Sequence, residues 1–502
     1  MEQRHVTVPH PELTEDALGF FRWGRVADRT LISTDAGDWA LLGEDEFHDL
    51  LAGRVVDGHA RFAELQGKGF LRDGLDLDAL ATRMAQRNRH LRRGPYLHVV
   101  TLTRRPDGAG GNGTAADDTG VDMTTETAAQ VAELVLQSTS PSVAVEFQAH
   151  AGEPLHNLAA LRHFVEVARA RNERSTGKAL SLRVLSNFSA LNEDIAEWLI
   201  ANDVRITTSL DGPAALHDEN RRWRGGSAHA DVVRWIAYFQ RRYTELGRDP
   251  QQWFVDALLT TTRPTLNAAR EVVEEYAARG LRTVRLRPLD RARFDRETWS
   301  AIGYTVEEYL EFYRRTLDHI LEANGRGIAL TERTAAIILT RMLSTDDPGV
   351  VDFQSPHGAG TAQVAYNVDG RVFPSDEARI VDAMGDSFFA LGHVNDLSIQ
   401  DIVRHPTVRA IAAASLLDAQ PMCADCWNKP FCGFSPVRNF ITQGDLFGQR
   451  PHCVECKEHM AVSSRIIELL SNAGDVEKAE TLKSWLTNSP LATDGRVGAD
   501  AP

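Results

Sequence analysis

No cysteine precedes Cys423, and all five cysteines of the 502-residue chain lie between there and Cys456. That clustering excludes a disulfide framework spread over the chain, and two paired disulfides leave an odd thiol. Long apolar runs are also missing: no stretch approaches the roughly twenty residues that a membrane helix needs. The opening residues, Met-Glu-Gln-Arg-His-Val-Thr-Val-Pro-His, contain no apolar signal core. A reducing cytoplasm is the expected compartment, where clustered thiols bind metal more often than they pair. Positive charge is in deficit, with 55 Lys and Arg against 70 Asp and Glu, a net −15. This argues against a general nucleic-acid surface and against binding to an anionic membrane. What remains is an ordinary globular composition, 43% apolar and 25% charged, long enough for two to four domains with real cores.

The cysteines are arranged for a purpose. Cys423, Cys426 and Cys432 form a Cys-x2-Cys-x5-Cys run, and Cys453 and Cys456 a second Cys-x2-Cys. A two-residue gap lets a short turn aim two thiolates at one centre, and the distant pair closes the site across a loop. Thiolates favour zinc or an iron–sulfur cluster, and spacing alone does not separate the two.

Along the chain, the first ninety residues read as a small α/β unit that caps the core or binds a peptide. Strands are expected at 21–26 and 30–34, with a turn at Asp35-Ala36-Gly37-Asp38 and a short helix from Glu44. Residues 95–330 alternate short apolar strands (96–102, 143–147, 181–185, 204–210, 254–259, 283–287) with helical patterns (125–137, 158–171, 193–202, 228–246, 267–279). Repeated β-α units give a parallel sheet or barrel that places ligands at the carboxyl ends of its strands. Those ends carry Gln148 to Pro154, Ser186-Asn187 and Asp211-Gly212-Pro213. Each is ordinary turn chemistry by itself; their order on successive strands points to a site. The Gly- and Asp-rich stretch 104–120 reads as a flexible loop without an essential ligand, since no G-x-G-x-x-G opens a helix and no Gly-Lys-Ser/Thr occurs. Residues 364–374 read as a hairpin with an Asp-Gly turn, residues 463–485 as a closing helix, and the last fifteen as a disordered polar tail.

Several strings carry a family resemblance: F-R-W-G-R-V-A-D-R-T-L-I-S-T-D-A-G-D (21–38), V-D-M-T-T-E-T-A (121–128), E-F-Q…G-E-P-L (146–155), T-T-S-L-D-G-P…L-H-D-E-N-R (207–221), A-Y-N-V-D-G-R-V-F-P-S-D-E-A-R (365–379) and the cysteine run with Q-G-D-L-F-G-Q-R-P (443–451). Together they resemble the radical S-adenosylmethionine (SAM) family with a SPASM-type carboxyl-terminal cluster domain, in particular the maturases of the His-Xaa-Ser peptide system. The resemblance covers nearly the whole chain. It implies a small module (1–92), a partial (β/α)6 barrel that binds SAM (93–345), a SPASM-like domain covering the substrate (346–462), and a closing helix with a tail (463–502). Gly152, Glu153 and Pro154 fall where the family contacts the SAM amino group, and Asn187 and Ser209 fall on strand ends of the same pocket. Cys423, Cys426, Cys432 and Cys456 fall on the ligands of one auxiliary [4Fe–4S] cluster, with zinc as the alternative occupant. Cys453 is then an extra thiol or an alternative fourth ligand. Ser375 and Ser435-Pro436 stand where relatives carry further cysteines, which implies no second full cluster.

One departure bears on chemistry. The family's catalytic cluster needs Cys-x3-Cys-x2-Cys just after the first barrel strand, and residues 101–122 hold no cysteine. Nothing else there offers a soft ligand, and His98 and His150 are single imidazoles. The resulting expectation is a radical-SAM-like pseudoenzyme of peptide maturation that binds a precursor peptide or a partner maturation enzyme. The alternatives are an enzyme of non-radical chemistry reusing the SAM-binding barrel, and a zinc-stabilised scaffold.

Overall fold

The structure is a computed structural model; it describes residues 17–105, 121–150, 152–221, 226–289, 294 and 296–488. The expectations for loop residues 106–120 and for the tail after 488 lie outside the described residues.

The amino-terminal module is an antiparallel sheet of β1 (Arg22–Val26), β2 (Arg29–Ser33) and β3 (Trp39–Leu42), followed by the expected helix Glu44–Leu51. Alternation splits these strands between two cores. Ile32, Ala40 and Leu42 pack on Phe47, Leu50 and Phe70 within the module. Leu31 and Leu41 join the main core of the molecule.

Six strands then run parallel, each beside the next: β4 (Leu97–Thr103), β5 (Ser142–Ala149), β6 (Ala179–Leu185), β7 (Val204–Ser209), β8 (Asp256–Thr260) and β9 (Thr283–Arg287). This is a partial (β/α)6 barrel. Helices cover its outer face because every second strand residue is large and apolar there. Val143, Val145 and Phe147 are fully buried, and Phe147 meets Phe164 edge-on at 4.9 Å. The helices start where a side chain can accept an orphan N–H: Thr124, Asn157, Asn192, Ser227 and Thr305 cap the helices that follow them.

Beyond the barrel, β10 (Thr331–Glu332) pairs with β9. The expected hairpin, β11 (Gln363–Tyr366) and β12 (Arg371–Phe373), also exists, with β13 (Gly392–His393) at its outer edge. Less visible in the sequence was that β11 runs parallel to β4, so one ten-stranded sheet spans the barrel and the cysteine-bearing region. The helices Val306–Gly325 and Arg333–Leu343 were not read from the sequence. The closing helix is two helices, Val454–Ser471 and Val476–Asn488. Asn472 separates them by accepting from the Gly474 N–H with its own side chain. Among the described residues no helix is long and apolar enough to cross a membrane.

The module is locked to the cysteine run by buried charge. Arg22 donates to Ala424 O and pairs with Asp35 at 2.8 Å; Lys429 reaches the same carboxylate at 2.9 Å. Ser33 Oγ donates to Trp427 O at 2.7 Å. Arg87 is buried and donates to three carbonyls, of Arg341 (2.6 Å), Pro430 (3.2 Å) and Ser344 (3.3 Å). Gly37 makes room for it: φ is +86°, and a Cβ there would stand 2.1 Å from the Arg87 guanidinium. Arg87→Met is expected to destabilise the fold by about 3 kcal/mol in urea unfolding, since three buried carbonyls lose a charged donor. Gly37→Ala should move stability the same way; a neutral Gly37→Ala would refute the account.

Candidate functional site

At the carboxyl end of β5 the chain turns through Gly152, Glu153 and Pro154. Glu153 is fully buried and its carboxylate is held by the protein itself. It accepts from Leu155 N (3.0 Å), from Ser186 Oγ (2.9 Å) and from Asn187 N (2.8 Å). Four of the five sequence candidates for the strand-end pocket therefore meet at the ends of β5 and β6. Asn157 donates to Leu102 O and Met123 O at 2.8 and 2.9 Å, which ties the turn back to the end of β4. Ser209 lies on β7, two residues past the Thr207 carbonyl that accepts from Ser186 N at 2.9 Å. By strand alternation it shares the inner face with Thr207.

The same end of β5 grips the cysteine-bearing region. Gln148 donates to Asp376 at 2.5 Å, and buried Arg379 donates to His150 Nδ1 at 3.0 Å while pairing with Asp376 at 2.7 Å. The other histidine noted in the sequence, His98, is buried with its Nδ1 3.0 Å from Tyr366 Oη, joining β4 to β11. Asp211, from the S-L-D-G-P string, accepts from Arg221 (2.8 Å) and from Thr260 N (3.0 Å), and its own N–H donates to His217 Nδ1 at 3.1 Å. That string ties β7 to β8.

Inside the barrel is a cavity of about 490 Å³ whose walls are charged. Glu146, Arg183, Asp256, Arg285, Arg333 and Arg438 line it. Sequence reasoning missed these six. A signal was present, because Val-Ala-Val-Glu-Phe, Ser-Leu-Arg-Val-Leu and Thr-Val-Arg-Leu-Arg each place a charge at an alternate position of an apolar strand. A second cavity, about 720 Å³, lies between β9, the aromatic face of Val306–Gly325 and the helix after Cys453; Tyr304, Tyr309, Glu458 and Cys453 line it. Arg285, Arg287, Asp352 and Arg438 line both cavities.

The five cysteines are free thiols in one corner of the molecule. Cys423, Cys426 and Cys432 follow one another on successive turns, with Cys426 N donating to Cys423 O (3.1 Å), Lys429 N to Cys426 O (3.0 Å) and Cys432 N to Lys429 O (3.3 Å). Cys453 precedes the helix Val454–Ser471, and Cys456 is in its first turn. Burial pushes the Cys423 thiol up to about 11 and the Cys453 thiol up to about 12, and raises the other three. Cys432 feels the other four thiols electrostatically, which places all five within reach of one another's fields. Among the described residues, no three Cys, His, Asp or Glu side chains close into a metal-holding group. The donor set nonetheless suits a thiolate-bound centre, and Arg450 aims a guanidinium N–H at Cys453 Sγ, 3.8 Å away.

No protein-family model matches the sequence, and no curated protein matches it. Solved structures do. The sulfatase maturase anSMEcpe with bound AdoMet superposes with a TM-score of 0.61 at 16% identity, over 76% of this chain and 100% of that one. Its complex with AdoMet and the Cp18Cys peptide gives 0.61 at 17%, over 76% and 99%. SuiB of Streptococcus suis bound to its precursor peptide SuiA gives 0.50 at 13%, over 88% and 99%. The chain has the radical SAM/SPASM fold.

Two serines of the cysteine-bearing region, Ser375 and Ser435, cap helices. Ser375 is fully buried and caps the helix Asp376–Ala383, accepting from Ala378 N at 3.3 Å. Ser435 caps Pro436–Gln443, and its N–H donates to Glu455 at 3.1 Å. A hydroxyl is the better cap because sulfur is a weak acceptor. A long connection joins β4 to the helix Thr125–Leu136. Its two ends are stitched together: Arg104 N donates to Val121 O (2.8 Å), Met123 N to Leu102 O (2.9 Å), and Thr103 Oγ1 to Asp122 (2.6 Å).

Two buried imidazoles make stability depend on pH. Burial pushes His98 down to about 3 and His217 down to about 4, from an ordinary 6.5. Between pH 6.5 and about 4 the unfolded chain takes up protons that the folded chain refuses, so stability falls as pH drops through that window. Denaturant titrations at stepped pH should show this slope, and His98→Phe should make it shallower by about one proton. An unchanged slope in the variant would remove His98 from the account.

Proposed function

We propose that this protein is a cluster-deficient member of the radical SAM/SPASM fold that acts in peptide maturation by binding, without reductive cleavage of SAM. The observation that carries the reading is the cysteine count: all five thiols lie at 423–456, and residues 101–122 contain none. Reductive cleavage needs a cluster iron left open for SAM, held by three thiolates in the loop after the first barrel strand. Arg, Asp, Gly, Asn and Thr there cannot replace soft ligands.

Peptide binding is supported by the charged, open barrel lumen and by two solved relatives of the same fold that hold peptides, Cp18Cys and SuiA. Cys423, Cys426, Cys432 and Cys456 would hold one auxiliary [4Fe–4S] cluster, or zinc, with Cys453 as the alternative fourth ligand. Either centre, when bound, would stabilise the region; only the iron–sulfur cluster would also supply an electron carrier. The small module caps the cysteine run, as the Asp35–Lys429 and Ser33–Trp427 contacts support. SAM, bound in the relatives, would meet Gly152 and Glu153 together with Asn187 and Ser209.

Anaerobically reconstituted protein given SAM and a strong reductant is expected to form no 5′-deoxyadenosine by mass spectrometry. More than trace product, lost in Cys423→Ala, would overturn the reading by making the carboxyl-terminal centre catalytic. Metal analysis of the same samples should give about four irons per chain, with a broad visible thiolate-to-iron band. Cys423→Ala should lose both. Stoichiometric zinc without iron uptake would favour the zinc-stabilised scaffold instead.

A further inference from the structure

The barrel lumen contains charged side chains without a hydrogen-bond or ion-pair partner among the described residues. Most of its ionic side chains are satisfied within the chain. Asp256 accepts from Thr283 Oγ1 at 2.6 Å and faces Arg333 at 3.0 Å and Arg183 at 3.7 Å. Arg438 faces Glu455 at 3.2 Å and Glu377 at 3.9 Å. Arg285 differs. It lies on β9 and lines both cavities, and its side chain forms no hydrogen bond or ion pair among the described residues. Burial and the cations of Arg333 and Arg438 lower its pKa; Asp352 and Glu146 answer it only through space. Glu146, on β5, lines the lumen and likewise forms no hydrogen bond or ion pair among the described residues.

A guanidinium carries five N–H donors and one charge, and enclosing it without an anion is costly. The surrounding positive wall adds to that cost. A cation kept at such a place is best compensated by an anion that arrives from outside. The two cavities meeting at Arg285, about 490 and 720 Å³, have room for several residues of an extended chain. Across the lumen, Glu146 has no donor among the described residues.

We propose that Arg285 anchors the carboxylate of an acidic peptide side chain lying in the lumen, with Glu146 accepting backbone N–H groups of the same segment. The proposal rests on the peptide-binding reading above and adds the residue class the bound peptide must present. A bidentate Arg–carboxylate pair in this enclosed setting discriminates strongly against the neutral amide.

The test uses the full chain and two small probes, N-acetyl-glutamate N-methylamide and its glutamine counterpart, at millimolar concentration. The acidic probe should raise the melting temperature by about 2 °C and the neutral one should not. Arg285→Met should melt about 2 °C higher than the wild type without ligand, because a half-buried cation with no anion paired to it among the described residues is gone, and should respond to neither probe. Arg285→Gln is the second variant and should also lose the acidic response. Equal response of the wild type to both probes, response to neither, or a lower melting temperature in both variants would overturn the proposal. Metal content and deoxyadenosine formation, read on the same samples, report on the preceding function separately, since Arg285 touches neither the cysteines nor Gly152–Pro154.

Discussion

The rest of the structure depends on one strand pairing. β11, from the hairpin beyond the barrel, lies parallel against β4, the barrel's first strand, in register from Gln363 opposite Leu97 to Tyr366 opposite Val100. Without that partner the barrel would end in a row of unpaired backbone groups on β4, a costly and aggregation-prone edge. With it, β4 is enclosed on both sides, and its sequence Leu-His-Val-Val-Thr-Leu-Thr is almost wholly buried. The same pairing fixes where the cysteine-bearing region sits, because everything after residue 366 is built outward from that edge. His98 and Tyr366, touching across the join, mark how closely the two regions are fused.

Charge closes the assembly where apolar packing stops. Asp35 collects Arg22 and Lys429, and Arg87 gathers carbonyls from two distant segments. Buried pairs of this kind add little net stability over apolar contacts, but each is costly to break singly. They therefore act as registers, holding the small module against the cysteine turns in one position. The lumen follows another rule. There, among the described residues, Arg285 and Glu146 are half-buried and unmatched, and such a charge is an argument about a ligand before it is an argument about stability.

The serines at 375 and 435 are committed to local structure. Each starts a helix, and each accepts the N–H that the helix would otherwise leave bare. A thiol at either position would weaken the cap, because sulfur is a weak acceptor.

The sequence by itself determined the elements of the barrel and the grouping of the thiols. Strands such as Val143–Phe147 are short apolar runs, and helices such as 158–171 carry a periodic apolar face and a capping Asn157, so local pattern and local structure agree. The absence of cysteine before residue 423 was equally plain, because counting needs no fold. Tertiary structure alone decided the rest. The β4–β11 pairing joins residues more than 260 apart, a distance at which no local pattern speaks. The break at Asn472 turned on one side chain choosing its own backbone over the helix. Glu153 was legible as part of a turn, but two of its three donors, Ser186 and Asn187, come from the segment after β6, more than thirty residues away. The isolation of Arg285 depends on which neighbours its side chain fails to reach, and only the closed barrel sets that.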